Sequence, residues 1–194
     1  MPGRLRPHLT VITGGMASGK SAELIRLAER EEHAGRSVLR IAPLRSRTHG
    51  EEIRSRTGRF AGAIPLAASA DLPALLARYT PDVIAIDEAQ FIDPDLAAVL
   101  EGLLAGGRPL HCIVAVLDLD FAARPFPGVG ALFASADELT KLRAICVLCG
   151  EEASRSQRLV DGLPALMTTP LLAIESGTIE YQARCRSCYR APSA

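Results

Sequence analysis

The chain of 194 residues has no tryptophan, and aromatic residues make up only 4% of it. A surface that grips single strands by stacking successive bases on aromatic rings is therefore not expected. An excess of charge of either sign is also missing, since 22 basic side chains face 22 acidic ones. No global field draws the protein to nucleic acid or to an anionic membrane, so neither partner is expected and only local basic patches could serve one. Long apolar runs are lacking, because Pro, Gly or charge interrupts each before it reaches membrane-spanning length. The leading segment, residues 1–7, carries positive charge but no apolar core or small-residue cleavage site, and a cytoplasmic protein is expected. In that compartment five cysteines argue against a disulfide framework and for thiol chemistry or metal binding.

The chain is rich in hydrophobic residues, at 48%, enough for one globular domain with a real core and at most a small appendage. Its most informative stretch is Gly14-Gly15-Met16-Ala17-Ser18-Gly19-Lys20-Ser21, which reads G-x-x-x-x-G-K-S. A β-branched run, residues 8–13, precedes it, and residues 21–28 follow with apolar positions at helical spacing. Strand, glycine turn and helix are what a phosphate-cradling loop needs. Backbone N–H groups converge on a polyphosphate there, helped by the positive end of the helix. Lys20 would reach the β and γ oxygens, and the Ser21 hydroxyl would hold Mg²⁺.

Further strands are expected at residues 37–42, 63–66, 82–86 and 110–117. Helices are expected from Ser69 or Asp71 to Tyr79 and from Asp93-Pro94 to Leu104. Between Leu44 and Phe60 the pattern is lost, and five arginines (Arg45, Arg47, Arg54, Arg56, Arg59) face only Glu51 and Glu52. Such a loop either clamps phosphate charge or is simply solvated. Strands alternating with helices predict an α/β fold, a parallel sheet with helices on both faces. The strand Asp82–Ile86 ends in Asp87-Glu88, and ligands of open α/β sheets bind at the carboxyl ends of strands. Asp87 would hold Mg²⁺ opposite Ser21, leaving Glu88 to accept a proton from the nucleophile. The competing reading is a capping box between Asp87 and Gln90. Glu88 could serve water, giving an ATPase, or an acceptor hydroxyl, giving a kinase.

After about residue 140 short β-like pieces surround Cys146-Val147-Leu148-Cys149 and Cys185-Arg186-Ser187-Cys188, with 35 residues between the pairs. Two such turns can complete a tetrahedron of thiolates, so Cys146, Cys149, Cys185 and Cys188 are expected to bind a structural Zn²⁺ with no open position. Division into a nucleotide-binding domain (1–140) and a zinc-ribbon-like lobe (141–194) follows. Cys112 is expected to be a buried core residue, and the four histidines share no ligand spacing.

In this order, Gly14–Ser21, Asp87-Glu88-Ala89-Gln90-Phe91, Asp118 to Phe126, the cysteine pairs and Tyr181 resemble the type II thymidine kinases, over about residues 10–189. The resemblance implies a RecA-like P-loop core and a zinc lobe carrying a "lasso" loop over the nucleoside. It also implies transfer of the γ-phosphoryl of ATP to the 5′-OH of thymidine, Glu88 being the base. Gly14 to Ser21, Asp87 and Gln90 would form the nucleotide side. Met16, Phe91, Phe121 and Phe126 resemble residues around the base, and Ile174, Gly177 and Tyr181 resemble lasso residues. A homotetramer is implied as well. The family's Asp-x-Arg is Arg45-Ser46-Arg47 here, its D-F-R-G is Asp120-Phe121-Ala122-Ala123, and its paired glycines are Ser176-Gly177. The alternative from another class is a P-loop ATPase or nucleotide-gated module whose cysteine lobe grips nucleic acid.

Overall fold

A computed structural model describes residues 5–45, 51–54, 58, 60–167 and 178–192, and the side chain of Phe60 lies outside that description. Along the chain come β1 (His8–Thr13), α1 (Lys20–His33), β2 (Val38–Pro43), the hairpin β3 (Glu52–Arg54) and β4 (Phe60–Gly62), and β5 (Ile64–Leu66). They are followed by α2 (Leu72–Tyr79), β6 (Val83–Ile86), α3 (Leu96–Ala105), β7 (His111–Val116), α4 (Val129–Ser135) and β8 (Glu138–Lys141). The remainder is β9 (Ala144–Ile145), β10 (Glu152–Ala153), β11 (Arg155–Val160), β12 (Leu163–Pro164) and β13 (Ile179–Arg184).

Six strands form one sheet in the order β5-β2-β6-β7-β1-β8, and every pairing in it is parallel. Parallel neighbours require crossovers, and the helices supply them. Alternate side chains of the strands go to opposite faces. Leu9, Val11, Leu39, Ile41, Ile84, Ile86, Cys112 and Val114 meet α2, α3 and α4 on one face. Ile12, Val83, Ala85, Ile113 and Ala115 meet Leu24, Ile25 and Ala28 of α1 on the other. Burial on both faces is why the central strands read as unbroken apolar runs rather than alternating ones. The α/β architecture expected from the sequence is therefore the one observed.

Four local expectations change. The stretch that lacks periodicity contains the β3–β4 hairpin, anchored by Ile53, which is only 1% exposed and packs with α1. Helix α4 has no counterpart among the elements expected from the sequence; at seven residues it is too short to display helical periodicity. Helix α3 begins at Leu96, later than expected, and in the turn before it the Asp93 carboxylate accepts the Asp95 N–H at 3.1 Å. The same carboxylate also accepts hydrogen bonds from the Ser69 N–H and hydroxyl at 2.7 Å, and so ties the turn before α2 to the turn before α3. Strand β8 precedes the cysteine region and joins the main sheet beside β1, leaving two small sheets, β9–β10 and β11–β12–β13, for the rest.

Gly128, which opens α4, has φ +78° and leaves no room for a Cβ, because that atom would stand 2.6 Å from the Pro94 carbonyl oxygen. Gly35, also at φ +78°, faces open space. Gly35→Ala is expected to cost about 1–2 kcal/mol, the left-handed penalty alone. Gly128→Ala should cost clearly more, with urea unfolding of the two variants providing the comparison.

Candidate active site

The loop from Gly14 to Gly19 reverses the chain at the carboxyl end of β1 by placing three residues at positive φ: Gly14 at 143°, Ala17 at 62° and Gly19 at 93°. Gly14 cannot carry a side chain, since a Cβ would run into the Leu142 carbonyl oxygen just past β8. Gly19 is the residue before α1 and offers no side-chain cap, so the first N–H groups of the helix stay directed at the loop. The Lys20 ammonium folds over the loop and donates to the Gly15 carbonyl at 2.8 Å. A basic head group, a helix N-terminus and glycine-spaced N–H groups thus converge at one spot, which is the chemistry a polyphosphate needs.

Asp87 follows β6, and β7 lies between β6 and β1. The two strands are separated by two interstrand spacings, about 9.6 Å. The gap is spanned from the loop side, because the Ser21 hydroxyl lies close enough to the Asp87 carboxylate to favour its charged form. Asp87 is 4% exposed, and burial holds its carboxyl above the usual carboxylate range, against the opposing pull of Ser21, the Glu88 N–H and Lys20. A hydroxyl and a carboxylate in contact, both facing a phosphate-binding loop, fit the donor set of a Mg²⁺ that bridges phosphate oxygens.

Glu88 is half-buried and takes φ 47°, ψ 37°, a left-handed conformation that a non-glycine residue rarely adopts. Such conformations cost energy and cluster where function requires them. The conformation turns the chain sharply after Asp87 into the single 3₁₀ turn Ala89–Phe91. The capping-box reading fails here, because Asp87 accepts the N–H of Glu88 and Gln90 is occupied elsewhere. The Gln90 side-chain oxygen accepts the Leu117 N–H at 2.9 Å, bridging the ends of β6 and β7, while its buried Nε2 has no partner among the described residues.

The aromatic residues separate into two groups. Phe91 and Phe126 meet edge to face, ring centroids 5.8 Å apart, and Met16 packs against the same cluster. Phe121 lies apart from them, with the Arg158 guanidinium 5.3 Å from its ring centroid and 5.8 Å from that of Tyr181. The Arg45-Ser46-Arg47 segment is described only at Arg45, which is exposed. Arg47, Ile174, Ser176 and Gly177 lie outside the described residues.

Several neighbours of the site were given no role of their own by the sequence. Asp118 is buried at the carboxyl end of β7 and ion-pairs with Lys141 of β8 at 2.6 Å. A second apolar strand ending in aspartate, Leu117-Asp118, was the available signal. Ser156 of β11 accepts the Met16 N–H at 2.9 Å, so the cysteine region touches the phosphate loop directly. Arg158 is an arginine only 1% exposed, and no local pattern marks such a residue.

Cys146, Cys149, Cys185 and Cys188 bring their sulfurs within 4.8 Å of one another, and Cys149 and Cys185 are 3.6 Å apart. Zn–S bonds of about 2.3 Å in a tetrahedron give edges of about 3.8 Å, so the donor set fits zinc. The thiol chemistry agrees. The backbone N–H of Cys185, with those of Leu148 and Cys149, lowers Cys146 to about 6. Hydrogen bonding with the Cys185 and Cys149 thiols pushes Cys188 up to about 12. Four sulfurs this close cannot all ionise without a cation, and four thiolates on zinc leave no position for substrate.

A family model described as thymidine kinase matches residues 7–189. The chain belongs to the thymidine kinase family. It is a thymidine kinase-like phosphotransferase, and the P-loop, the acidic pair and the cysteine cluster all lie within the matched span. Among solved structures it is similar to the flagellar accessory protein FlaH from Methanocaldococcus jannaschii, with a TM-score of 0.53 at 15% identity, covering 94% of this chain and 88% of that one. A likeness at that identity speaks to the fold alone. Among the described residues, no helix is long and apolar enough to cross a membrane.

Two outcomes follow for this thymidine kinase relative. A carboxyl raised by folding contributes stability that is present below its unfolded pKa, near 3.8, and lost as pH rises through its folded value. At pH 8 without metal, Asp87→Asn should therefore melt no lower than the parent, yet lose the stabilisation that Mg²⁺ and nucleotide give it. For the cysteines, metal analysis should find one zinc per chain. With zinc bound, none of the five thiols should react rapidly with a disulfide reagent, and chelation should release four. Cys112 should stay inert, being fully buried with its thiol pushed up to about 12 by that burial.

Proposed function

We propose that this nucleoside kinase uses Mg²⁺-ATP as donor and phosphorylates the 5′-hydroxyl of thymidine or a related deoxynucleoside. The observation that carries the proposal is the approach of Ser21, at the end of the phosphate loop, to the buried Asp87 carboxylate, with Glu88 next in the chain. It joins the phosphate loop to the acidic strand end across β7. In this reading the triphosphate lies along Gly14–Gly19, and Lys20 leaves the Gly15 carbonyl to meet the β and γ oxygens. Ser21 and Asp87 hold the metal, with Gln90 fixing the strand ends beside it. Mg²⁺, when bound, neutralises charge on the transferring phosphoryl group.

Glu88 accepts the proton of the acceptor hydroxyl as the bond from the 5′-oxygen to the γ-phosphorus forms and the bond to the β–γ bridging oxygen breaks, releasing ADP. Its left-handed backbone holds it on the ligand side of the sheet while Asp87 stays buried. The base of the nucleoside is taken up beside Met16, Phe91 and Phe126, with Phe121 and the lasso residues Ile174, Gly177 and Tyr181 closing over it. Phosphoryl transfer asks the protein mainly for position and charge neutralisation, so each of these contacts counts. By the same resemblance the protein works as a cytoplasmic homo-oligomer, with the nucleoside and ATP as its partners.

The experiment is a panel of nucleosides with labelled ATP and Mg²⁺, scored for monophosphate. Thymidine or a close analogue should be labelled. ATP hydrolysis stimulated by DNA, with no nucleoside labelled, would favour an ATPase instead. Glu88→Gln should lower kcat by about 10²–10⁴-fold, the range for losing a general base, with little change in the KM for ATP. Retention of most of the parent rate would remove Glu88 from the mechanism.

A further inference from the structure

The loop after β7 is closed on itself. The Asp120 carboxylate accepts the Ala122 and Arg124 N–H groups, both at 2.8 Å, and Leu119 bridges to Pro125. Its tip is strained, because Ala123 sits at φ 59° with a Cβ to accommodate. A strained turn persists when its surroundings over-determine it, and here the surroundings come from the cysteine lobe. The Tyr189 hydroxyl donates to the Phe121 carbonyl at 2.7 Å, and Tyr189 is the residue immediately after Cys188. Arg158 stands directly opposite Tyr181 in the β11–β13 pairing and presents its guanidinium to the Phe121 ring. Beside it, the Gln157 side-chain oxygen accepts the Arg190 N–H at 2.9 Å, fixing the chain that carries Tyr189.

We propose that Tyr189 and Arg158 are positioning residues through which the four-cysteine lobe sets the Phe121 loop, so that zinc occupancy controls nucleoside binding. Tyr189 holds the loop's backbone and Arg158 holds its aromatic ring against Tyr181. The metal anchors both, since Cys188 fixes the position of Tyr189 and Cys185 follows directly on β13. That Phe121 touches nucleoside rests on the function proposed above; that the lobe orders the loop does not.

The test uses the full zinc-loaded protein and Tyr189→Phe, which removes one hydroxyl and keeps the ring. Hydrogen exchange of residues 118–126 reads the ordering directly. Exchange there should speed up in Tyr189→Phe with one zinc still bound, and speed up at least as much in the zinc-stripped parent. In steady state the same variant should raise the nucleoside KM about three- to tenfold, with kcat and the KM for ATP within twofold of the parent. Arg158→Met should move the same two readouts in the same direction, which guards against a fault peculiar to one variant. Unchanged exchange in 118–126, whether zinc is removed or Tyr189 is replaced, overturns the proposal. If no nucleoside is phosphorylated by the parent, the function assignment fails, and the exchange arm still decides the coupling.

Discussion

One polar interaction, between the Ser21 hydroxyl and the buried Asp87 carboxylate, joins the two halves of this site. The chain brings them from opposite sides of β7, the glycine loop from the end of β1 and the acidic pair from the end of β6. Every strand in the sheet is parallel, so both ends point the same way, and the intervening strand leaves a gap between them about as wide as a hydrated metal and a phosphate. Burial makes the Asp87 charge costly in isolation, which biases this corner toward a cation. The sheet's two-sided core makes the arrangement rigid. Helices α2, α3 and α4 cover one face and α1 the other, so the loop and the acidic turn are fixed to a common platform rather than to mobile segments.

The cysteine lobe is a part of this platform. It reaches the core at the Met16 N–H through Ser156, at the Phe121 carbonyl through Tyr189, and at the Phe121 ring through Arg158. Four thiolates around zinc would supply the stability that two- and three-stranded sheets this small lack on their own. The metal then acts on the reaction only by holding other residues in place. One departure from the family pattern, Ala122-Ala123, sits beside the same contacts. Ala123 takes a left-handed conformation with a side chain attached, so the loop that carries Phe121 depends on its neighbours more than a glycine-containing turn would.

How much was legible in the sequence varied with the range of the physics involved. The glycine loop, the acidic strand end and the cysteine pairs are local patterns whose chemistry dictates their spacing, and each folds where expected. The central strands were readable because burial on both faces demands continuous apolar residues. Helix α4 was not, since seven residues hold barely two turns. The β3–β4 hairpin was hidden because one buried side chain, Ile53, anchors it amid charge. Asp93 shows both ranges at once, because its carboxylate holds the Asp95 N–H locally and also Ser69, 24 residues away, which no local pattern announces. Ser156, Arg158 and Tyr189 act through partners between 37 and 140 residues distant in sequence. No local signal could have announced them.

The account turns on one spatial relation, that the acceptor hydroxyl meets the γ-phosphorus between the glycine loop and Glu88. A crystal structure of the complex with Mg²⁺, a non-hydrolysable ATP analogue and thymidine measures it directly. The account predicts a 5′-oxygen at near-attack distance from the γ-phosphorus, roughly 3–3.5 Å, and within hydrogen-bond reach of the Glu88 carboxylate. Ser21 and Asp87 should both face the metal. A nucleoside bound on the far side of β7, or a Glu88 carboxylate directed away from the 5′-oxygen, would contradict it.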